Sequence, residues 1–201
     1  MTRTRELILD IVYMSFYLAL GLCLSYLNEL YPIIKMPNGG SLEYAVIACF
    51  VASFHLGWKK GVIVSLLIWY IGTFFGLHYY FVSWPQVLLD YIIPYGCLGL
   101  ASIFPKIKIS NIYTGIIGCM LMKYSCHVLA GVYFWFPEGE AAGSLAAWIY
   151  SAWTYNLGYN LITLIVALIL TPKLIQSIRK TVNFVGIKDK HLFYIGVFFN
   201  D

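Results

Sequence analysis

The chain has 201 residues, of which 61% are hydrophobic and only 11% are charged, and its formal net charge is +4. This is more apolar surface than one soluble core can bury, so the composition excludes an ordinary soluble domain and indicates a membrane protein. The positive charge suits cytoplasmic loops that face anionic lipid, so no nucleic-acid partner is needed to explain it.

Six apolar stretches divide the chain, and most approach the roughly 20 residues that a membrane-spanning helix needs. Long, continuously apolar stretches favour a helical bundle over a membrane barrel, whose strands alternate apolar and polar residues. The sequence therefore predicts an all-α integral membrane protein, a bundle of six transmembrane helices within residues 1–180, followed by a tail, 181–201, of unknown role. The predicted spans lie near residues 7–27, 42–57, 61–81, 86–104, 112–136 and 146–171.

The basic residues are divided unequally between the two sides of the predicted membrane. A cytoplasmic N-terminus places eleven of the thirteen Lys and Arg residues inside, as the positive-inside rule requires. Only Lys35 then lies outside, and Lys123 lies within a span. We therefore expect a multi-pass protein of the cell membrane with both termini cytoplasmic. The residues predicted to lie inside are Arg3, Arg5, Lys59, Lys60, Lys106, Lys108, Lys173, Arg179, Lys180, Lys188 and Lys190.

Common nucleotide and metal motifs are missing from the sequence. No P-loop or related phosphate-binding pattern occurs, so the chain is not expected to hydrolyse ATP. The cysteines lie within apolar stretches and show neither Cys-x-x-Cys nor metal spacing with His, so we expect no disulfide and no metal site. They are Cys23, Cys49, Cys97, Cys119 and Cys126.

Three ionisable residues stand out inside the predicted spans: Asp90, Lys123 and His127. Such groups cost about 2.5–3.5 kcal/mol each on insertion scales and mark function by default. In the fifth predicted helix, "KYSCHVLAGVYFW", Lys123, His127, Gly131 and Trp135 recur every fourth residue and share one face. That face is expected to contact protein or water instead of lipid.

Two other predicted helices bring polar side chains to the same outer depth. The fourth contains Asp90 and Tyr91, followed by Pro94, which loosens a helix. A ligand that is flat, nitrogen-rich and cationic suits this cluster, because Asp90 supplies charge and Trp135 an aromatic face. The sixth helix supplies Tyr150, Ser151, Trp153, Tyr155, Asn156, Tyr159 and Asn160.

Each of these residues also has a structural interpretation. Asp90 could cap the fourth helix, and His127 could be a hydrogen-bonded core residue. Lys123 could pair with Asp10 or with a backbone carbonyl, since it lies deeper than the predicted pocket. Tyr and Trp also gather at membrane interfaces without any ligand. The shared depth of the cluster favours the pocket.

These segments resemble a known family, the thiamine-specific substrate-binding (S) components of energy-coupling factor (ECF) transporters, called ThiT. The resemblance covers about residues 7–172, and "KYSCHVLAGVYFW" is its strongest part. That segment is similar to the family's basic-aromatic-x-x-His-x-x-(Ala/Ser)-Gly-x-x-Phe-(Trp/Phe) pattern. Three shorter family patterns match "LLDY" (88–91), "MPNGGS" (36–41) and "WIYS" followed by "YN".

The resemblance implies an outward-facing thiamine pocket, capped by the loop after the first helix. The aminopyrimidine would stack on Trp135, and an ionised Asp90 would balance the thiazolium cation. In the family the Tyr and Asn of the sixth helix stand five residues apart, whereas here they stand six apart. One extra residue rotates a helix by about 100°, so both keep their roles only if a π-bulge absorbs it; Asn156 is the better candidate. The implied ligand residues are Asp90, Tyr91, His127, Gly131, Trp135, Asn156 and Tyr150.

The resemblance further implies a protein that is not an enzyme and that binds no cofactor itself. It would pass thiamine on after docking on a transmembrane coupling subunit with two cytoplasmic ATPases, which use the ATP. Ser15 and Ala19, small residues four apart on the first helix, are the predicted docking face. Three alternatives stay open: an S component for another vitamin such as riboflavin, a small membrane enzyme with Asp90 and His127 as acid and base, and a cation channel.

Overall fold

The computed structural model describes residues 3–36, 40–77 and 79–188, and the regular secondary structure of this part of the chain is helical, apart from one isolated β-bridge between Lys35 and Ser41. Three residues of the "MPNGGS" pattern, 37–39, lie outside the described residues, as do Lys190 and the rest of the predicted tail from 189 to 201. The helices are α1 (Arg3–Leu30), α2 (Ala45–Leu56), α3 (Trp58–Phe74), α4 (residues 84–99), α5 (Asn111–Phe134) and α6 (Leu145–Ile178). A turn of π-helix interrupts α4 at Leu88–Ile92 and α6 at Tyr150–Asn156.

The predicted all-α class is confirmed for the described residues, and each apolar stretch falls on one of these helices. Among the described residues, three helices, α1, α5 and α6, are long and apolar enough to cross a membrane. The 12 residues of α2 rise only about 18 Å, less than the roughly 30 Å of a hydrocarbon core. Six crossings and cytoplasmic termini therefore stay predictions.

Helix α2 forms the centre of the bundle. All of its residues are buried, and it contacts α1, α3, α4 and α6. A helix that is apolar on every side is stable only when neighbours cover it on every side, and Phe50 and Phe54 of α2 are fully enclosed. Helix α1 is the opposite case, because Ile8, Ile11 and Phe16 are more than half exposed, as suits a surface in contact with lipid.

Local sequence signals set the helix ends. Gly57 separates α2 from α3 with φ of 85°, a left-handed conformation that glycine adopts without steric cost. The side chains of Ser83, Ser110 and Ser144 each accept a backbone N–H of the following turn and begin α4, α5 and α6. These serines fix where the helices that carry Asp90, His127 and Asn156 begin.

The first residues of the predicted tail pack against the bundle at one end. Val185 N–H donates to His55 O (3.1 Å) and Gly186 N–H to Phe54 O (2.8 Å), which pairs two carbonyls that α2 leaves free at its C-terminus. The Asn111 side chain donates to Gly186 O (2.8 Å) and accepts from Lys188 N–H (3.0 Å). We call this end, with His55, Asn111 and residues 184–188, the closed end.

Candidate functional site

A cavity of about 150 Å³ lies at the other end of the bundle, which we call the cavity end. A volume of that order accommodates an aromatic ring. The walls come from the C-terminal part of α1, the loop that follows it, the loop before α4, and helices α4, α5 and α6. All the predicted ligand residues line it: Asp90, Tyr91, His127, Gly131, Trp135, Asn156 and Tyr150; so do Asn28, Ser41, Glu43, Tyr80, Ser151, Tyr155 and Tyr159.

Asp90 links α4 to the end of α5. Its Oδ2 accepts hydrogen bonds from Gln86 Nε2 (2.7 Å) and Trp135 Nε1 (2.8 Å), so Asp90 and Trp135 lie at one depth. Within the described residues, no Lys or Arg forms an ion pair with this carboxylate. Ser83, not Asp90, caps the helix. Asp90 is therefore a half-buried carboxylate held by neutral donors, without an ion-pair partner among the described residues.

The backbone conformation at Asp90 is explained by Pro94, four residues later. Proline has no N–H, so the Asp90 carbonyl lacks its helical donor four residues on. The chain widens here into a π turn, in which Ile93 N–H donates to Leu88 O. Such turns are rare and often occur at functional sites. The sequence indicated a loosened helix, but it gave no sign of a π turn.

Trp135 is fixed at its ring and at its backbone. Its backbone N–H donates to Gly131 O (3.2 Å), and its ring meets Tyr80 edge to face at 6.1 Å between centroids. Tyr91 holds Tyr80 in turn, because its hydroxyl accepts from Tyr80 N–H (2.9 Å) and donates to Tyr80 O (3.1 Å). Buried Gln86 also donates to Tyr80 O. Tyr91 and Gln86 thus position the loop that forms one wall.

His127 has one nitrogen bonded to the protein and one left unpaired. Its Nδ1 lies 2.9 Å from the hydroxyl of Tyr159, which itself donates to Asn156 Oδ1 (2.6 Å). Its Nε2 is buried and makes no hydrogen bond within the described residues. The interpretation of His127 as a hydrogen-bonded core residue therefore explains Nδ1 but not Nε2.

A π turn lies at Tyr150–Asn156, the place where the resemblance implies an extra residue, and both Tyr150 and Asn156 line the cavity. The Asn156 amide donates to Ser151 O (2.9 Å) and Oγ (3.1 Å), so its polar atoms are engaged by the protein. Gly131 permits this contact, because a Cβ there would collide with Ser151 Oγ.

Lys123 lies beneath the cavity and is only 1% exposed. Its Nζ is 2.9 Å from Glu43 Oε1 and donates to Asn160 Oδ1 at 3.1 Å. Asp10 pairs instead with Lys60 at 2.6 Å, so the interpretation of Asp10 as the partner is wrong. Our sequence reasoning missed Glu43, although a carboxylate inside the predicted span 42–57 was a usable signal. A buried lysine without a counter-ion is strongly destabilising, so a carboxylate from a distant part of the chain can be its partner.

The predicted docking residues lie elsewhere. Ser15 and Ala19 are exposed on α1 and do not line the cavity. They share that helix with the exposed apolar residues Leu7, Ile8, Ile11, Val12 and Phe16. The two predicted sites, for ligand and for partner, are therefore separate surfaces.

Comparison with known proteins identifies the family. A family model described as "Thiamine transporter protein (Thia_YuaJ)" matches residues 11–183. The thiamine transporter ThiT of Bacillus subtilis strain 168 is 30% identical to this chain in a match that covers 72% of this chain and 83% of the relative.

A solved structure of ThiT from Listeria monocytogenes has the same fold, with a TM-score of 0.61 at 20% identity. The match covers 84% of this chain and 96% of that one. The resemblance read from the sequence is confirmed, and so is the prediction of a non-enzymatic, multi-pass membrane protein. The chain belongs to the thiamine transporter protein family.

Proposed function

We propose that this protein is the S component of an ECF importer and binds thiamine in the cavity. The observation that carries the proposal is Asp90, a cavity carboxylate bonded to Trp135 and Gln86 without a basic partner among the described residues. Thiamine has a permanent cationic ring and a flat, nitrogen-rich ring. A desolvated carboxylate beside an indole provides for both.

The charge of the site supports a cation. Lys123 forms its ion pair with Glu43 at 2.9 Å, so no basic residue of the described chain forms an ion pair with Asp90. In surroundings of reduced dielectric, a charge interacts more strongly with a ligand charge than it does in water. A monocation is therefore favoured over a neutral or an anionic ligand of the same shape.

The aromatic wall supports a flat ligand. Asp90 fixes the Trp135 indole through Nε1, so its ring plane is oriented before a ligand arrives, which lowers the entropic cost of binding. We propose that the aminopyrimidine stacks on Trp135. Tyr150 would supply a further contact from the start of α6.

Hydrogen bonds would complete the binding. The unpaired Nε2 of His127 is proposed to bond a ligand atom, since burial without a partner costs free energy that a ligand can recover. Asn156 and Tyr91 are proposed to act indirectly, because their polar atoms already bond to the protein. Asn156 would position His127, and Tyr91 would position Tyr80.

Delivery is proposed to need partner subunits. The protein would dock on a transmembrane coupling subunit that works with two cytoplasmic ATPases, and those subunits would use the ATP while this chain binds no cofactor. The outward face of α1, with Ser15 and Ala19 among exposed apolar side chains, is the proposed docking surface, since small residues let helices approach closely. We further propose six membrane crossings with cytoplasmic termini, on the distribution of basic residues.

Tryptophan fluorescence of the detergent-purified protein tests the ligand. Thiamine is expected to give saturable quenching that Trp135→Phe largely removes. Trp153→Phe is the matched control, because Trp153 is 70% exposed and outside the cavity lining. Absence of saturable quenching by thiamine, or an equal response to riboflavin, would rule out the thiamine assignment.

A further inference from the structure

Glu43 reaches the cavity from the loop between α1 and α2, and its two carboxylate oxygens have different surroundings. Oε1 is 2.9 Å from Lys123 Nζ. Oε2 is buried and has no hydrogen-bond partner within the described residues. The backbone of Glu43 is also anchored, since its N–H donates to Thr163 Oγ1 at 3.3 Å. The unpaired oxygen is thus held in place by contacts on its own residue.

A carboxylate oxygen that is buried without a donor is costly. An ionised carboxylate accepts up to about four hydrogen bonds, and an unmet acceptor loses its water without compensation. The ion pair with Lys123 requires only Oε1, so it does not account for Oε2. The Glu43 side chain is 22% exposed and lines the cavity, where a bound molecule would meet it.

A second unpaired acceptor lies nearby. Asn28 donates through Nδ2 to Ser41 Oγ (2.9 Å), and Ser41 precedes Glu43 by two residues. With the amide in that orientation, Asn28 Oδ1 is buried without a partner and its residue lines the cavity. Two buried acceptors that lack a donor among the described residues favour a ligand group that donates.

We infer that Glu43 is a further ligand-binding residue, whose Oε2 accepts a hydrogen bond from a donor group of the bound cation. This inference rests on the proposed binding of thiamine in the cavity. Thiamine carries two such groups, the exocyclic amino group of its pyrimidine and the hydroxyl of its side chain. Lys123 acts as a positioning residue that holds the Glu43 carboxylate in its orientation.

Glu43→Gln tests the contact. The variant keeps a carbonyl oxygen for Lys123 but replaces Oε2 by an NH₂, which is a donor facing a donor. It is titrated with thiamine, with oxythiamine, in which a carbonyl replaces the exocyclic amino group, and with the analogue that lacks the side-chain hydroxyl. We expect thiamine to bind about tenfold or more weakly, while the affinity for one analogue stays within about twofold of wild type. That analogue identifies the donor that Glu43 contacts.

Asp10→Asn is the matched control, since it removes the carboxylate of a Lys–Asp pair at the other end of α1 and is expected to change none of the three affinities. Equal losses for all three ligands in Glu43→Gln, or unchanged thiamine binding, overturn the inference. Wild-type protein that binds the three ligands equally also overturns it, even where Glu43→Gln does not fold. Wild-type protein that does not bind thiamine overturns the proposed function itself.

Discussion

The two ends of the bundle treat buried imidazoles differently. At the closed end His55 Nδ1 lies 2.8 Å from the Tyr17 hydroxyl, and rings of Tyr13 and Phe184 pack on it at 4.6 and 4.9 Å. At the cavity end His127 Nε2 has no partner within the described residues. A buried polar atom without a hydrogen-bond partner lowers stability. Its presence beside a cavity therefore indicates a position where a ligand atom can bond.

The same contrast holds for the two Lys–carboxylate pairs. Lys60 and Asp10 are 36% and 31% exposed, whereas Lys123 and Glu43 are 1% and 22% exposed. Water solvates and screens the charges of Lys60 and Asp10, whereas Lys123 and Glu43 are stabilised mainly by each other. The cavity end is therefore expected to be the more sensitive to substitution.

Loss of either lysine gives the largest expected difference between the ends. Lys123→Met leaves Glu43 without its cation and is expected to lower the free energy of unfolding by about 3–5 kcal/mol. Lys60→Met is expected to lower it by about 1 kcal/mol or less. Denaturant unfolding of the purified variants measures both, and equal losses would contradict the contrast between the pairs.

The close contact between α5 and α6 gives the next largest effect. Gly131→Ala would drive a Cβ into Ser151 Oγ and is expected to cost about 1–3 kcal/mol, together with most thiamine binding. Gly158→Ala in the same α6 is the control, because nothing lies within 4 Å of its added Cβ. Thermal unfolding and thiamine titration compare the two variants. A Gly131→Ala protein as stable as Gly158→Ala would show that the contact is loose.

The two imidazoles should separate binding from stability. His127→Ala is expected to weaken thiamine binding about tenfold through the lost Nε2 contact. His55→Ala leaves the Tyr17 hydroxyl unpaired and is expected to cost about 1–2 kcal/mol of stability, with thiamine affinity unchanged. Melting curves and ligand titration of each variant check this. Weakened binding in His55→Ala would remove the distinction between the ends.

Depth along a helix was the feature that the sequence predicted best. Counting residues into the fourth and fifth helices placed Asp90 level with Trp135, and the two side chains are hydrogen-bonded. The rise of a helix is regular, so sequence spacing converts directly into depth. The six-residue spacing of Tyr150 and Asn156 likewise led to the expectation that a π-bulge is needed between them, and a π turn lies there.

Contacts between distant segments were beyond such counting. Glu43 meets Lys123 across 80 positions of the chain because a loop returns to the bundle, and no periodicity encodes that return. In the sequence Gln86 is an ordinary residue at the start of a helix, and only the structure shows that its amide donates to both Asp90 and Tyr80. Val185 and Gly186 bond to α2 through their backbone N–H groups, for which side-chain patterns give no signal.

The proposed function depends most on the negative charge of Asp90, which calorimetric titration of wild type and Asp90→Asn with thiamine measures. We expect saturable one-to-one binding by wild type and at least about tenfold weaker binding by Asp90→Asn. A thiamine analogue with a neutral ring in place of the thiazolium should lose much less affinity on the same substitution. Equal losses for the two ligands, or no loss for thiamine, would contradict the assignment of Asp90 as the counter-charge.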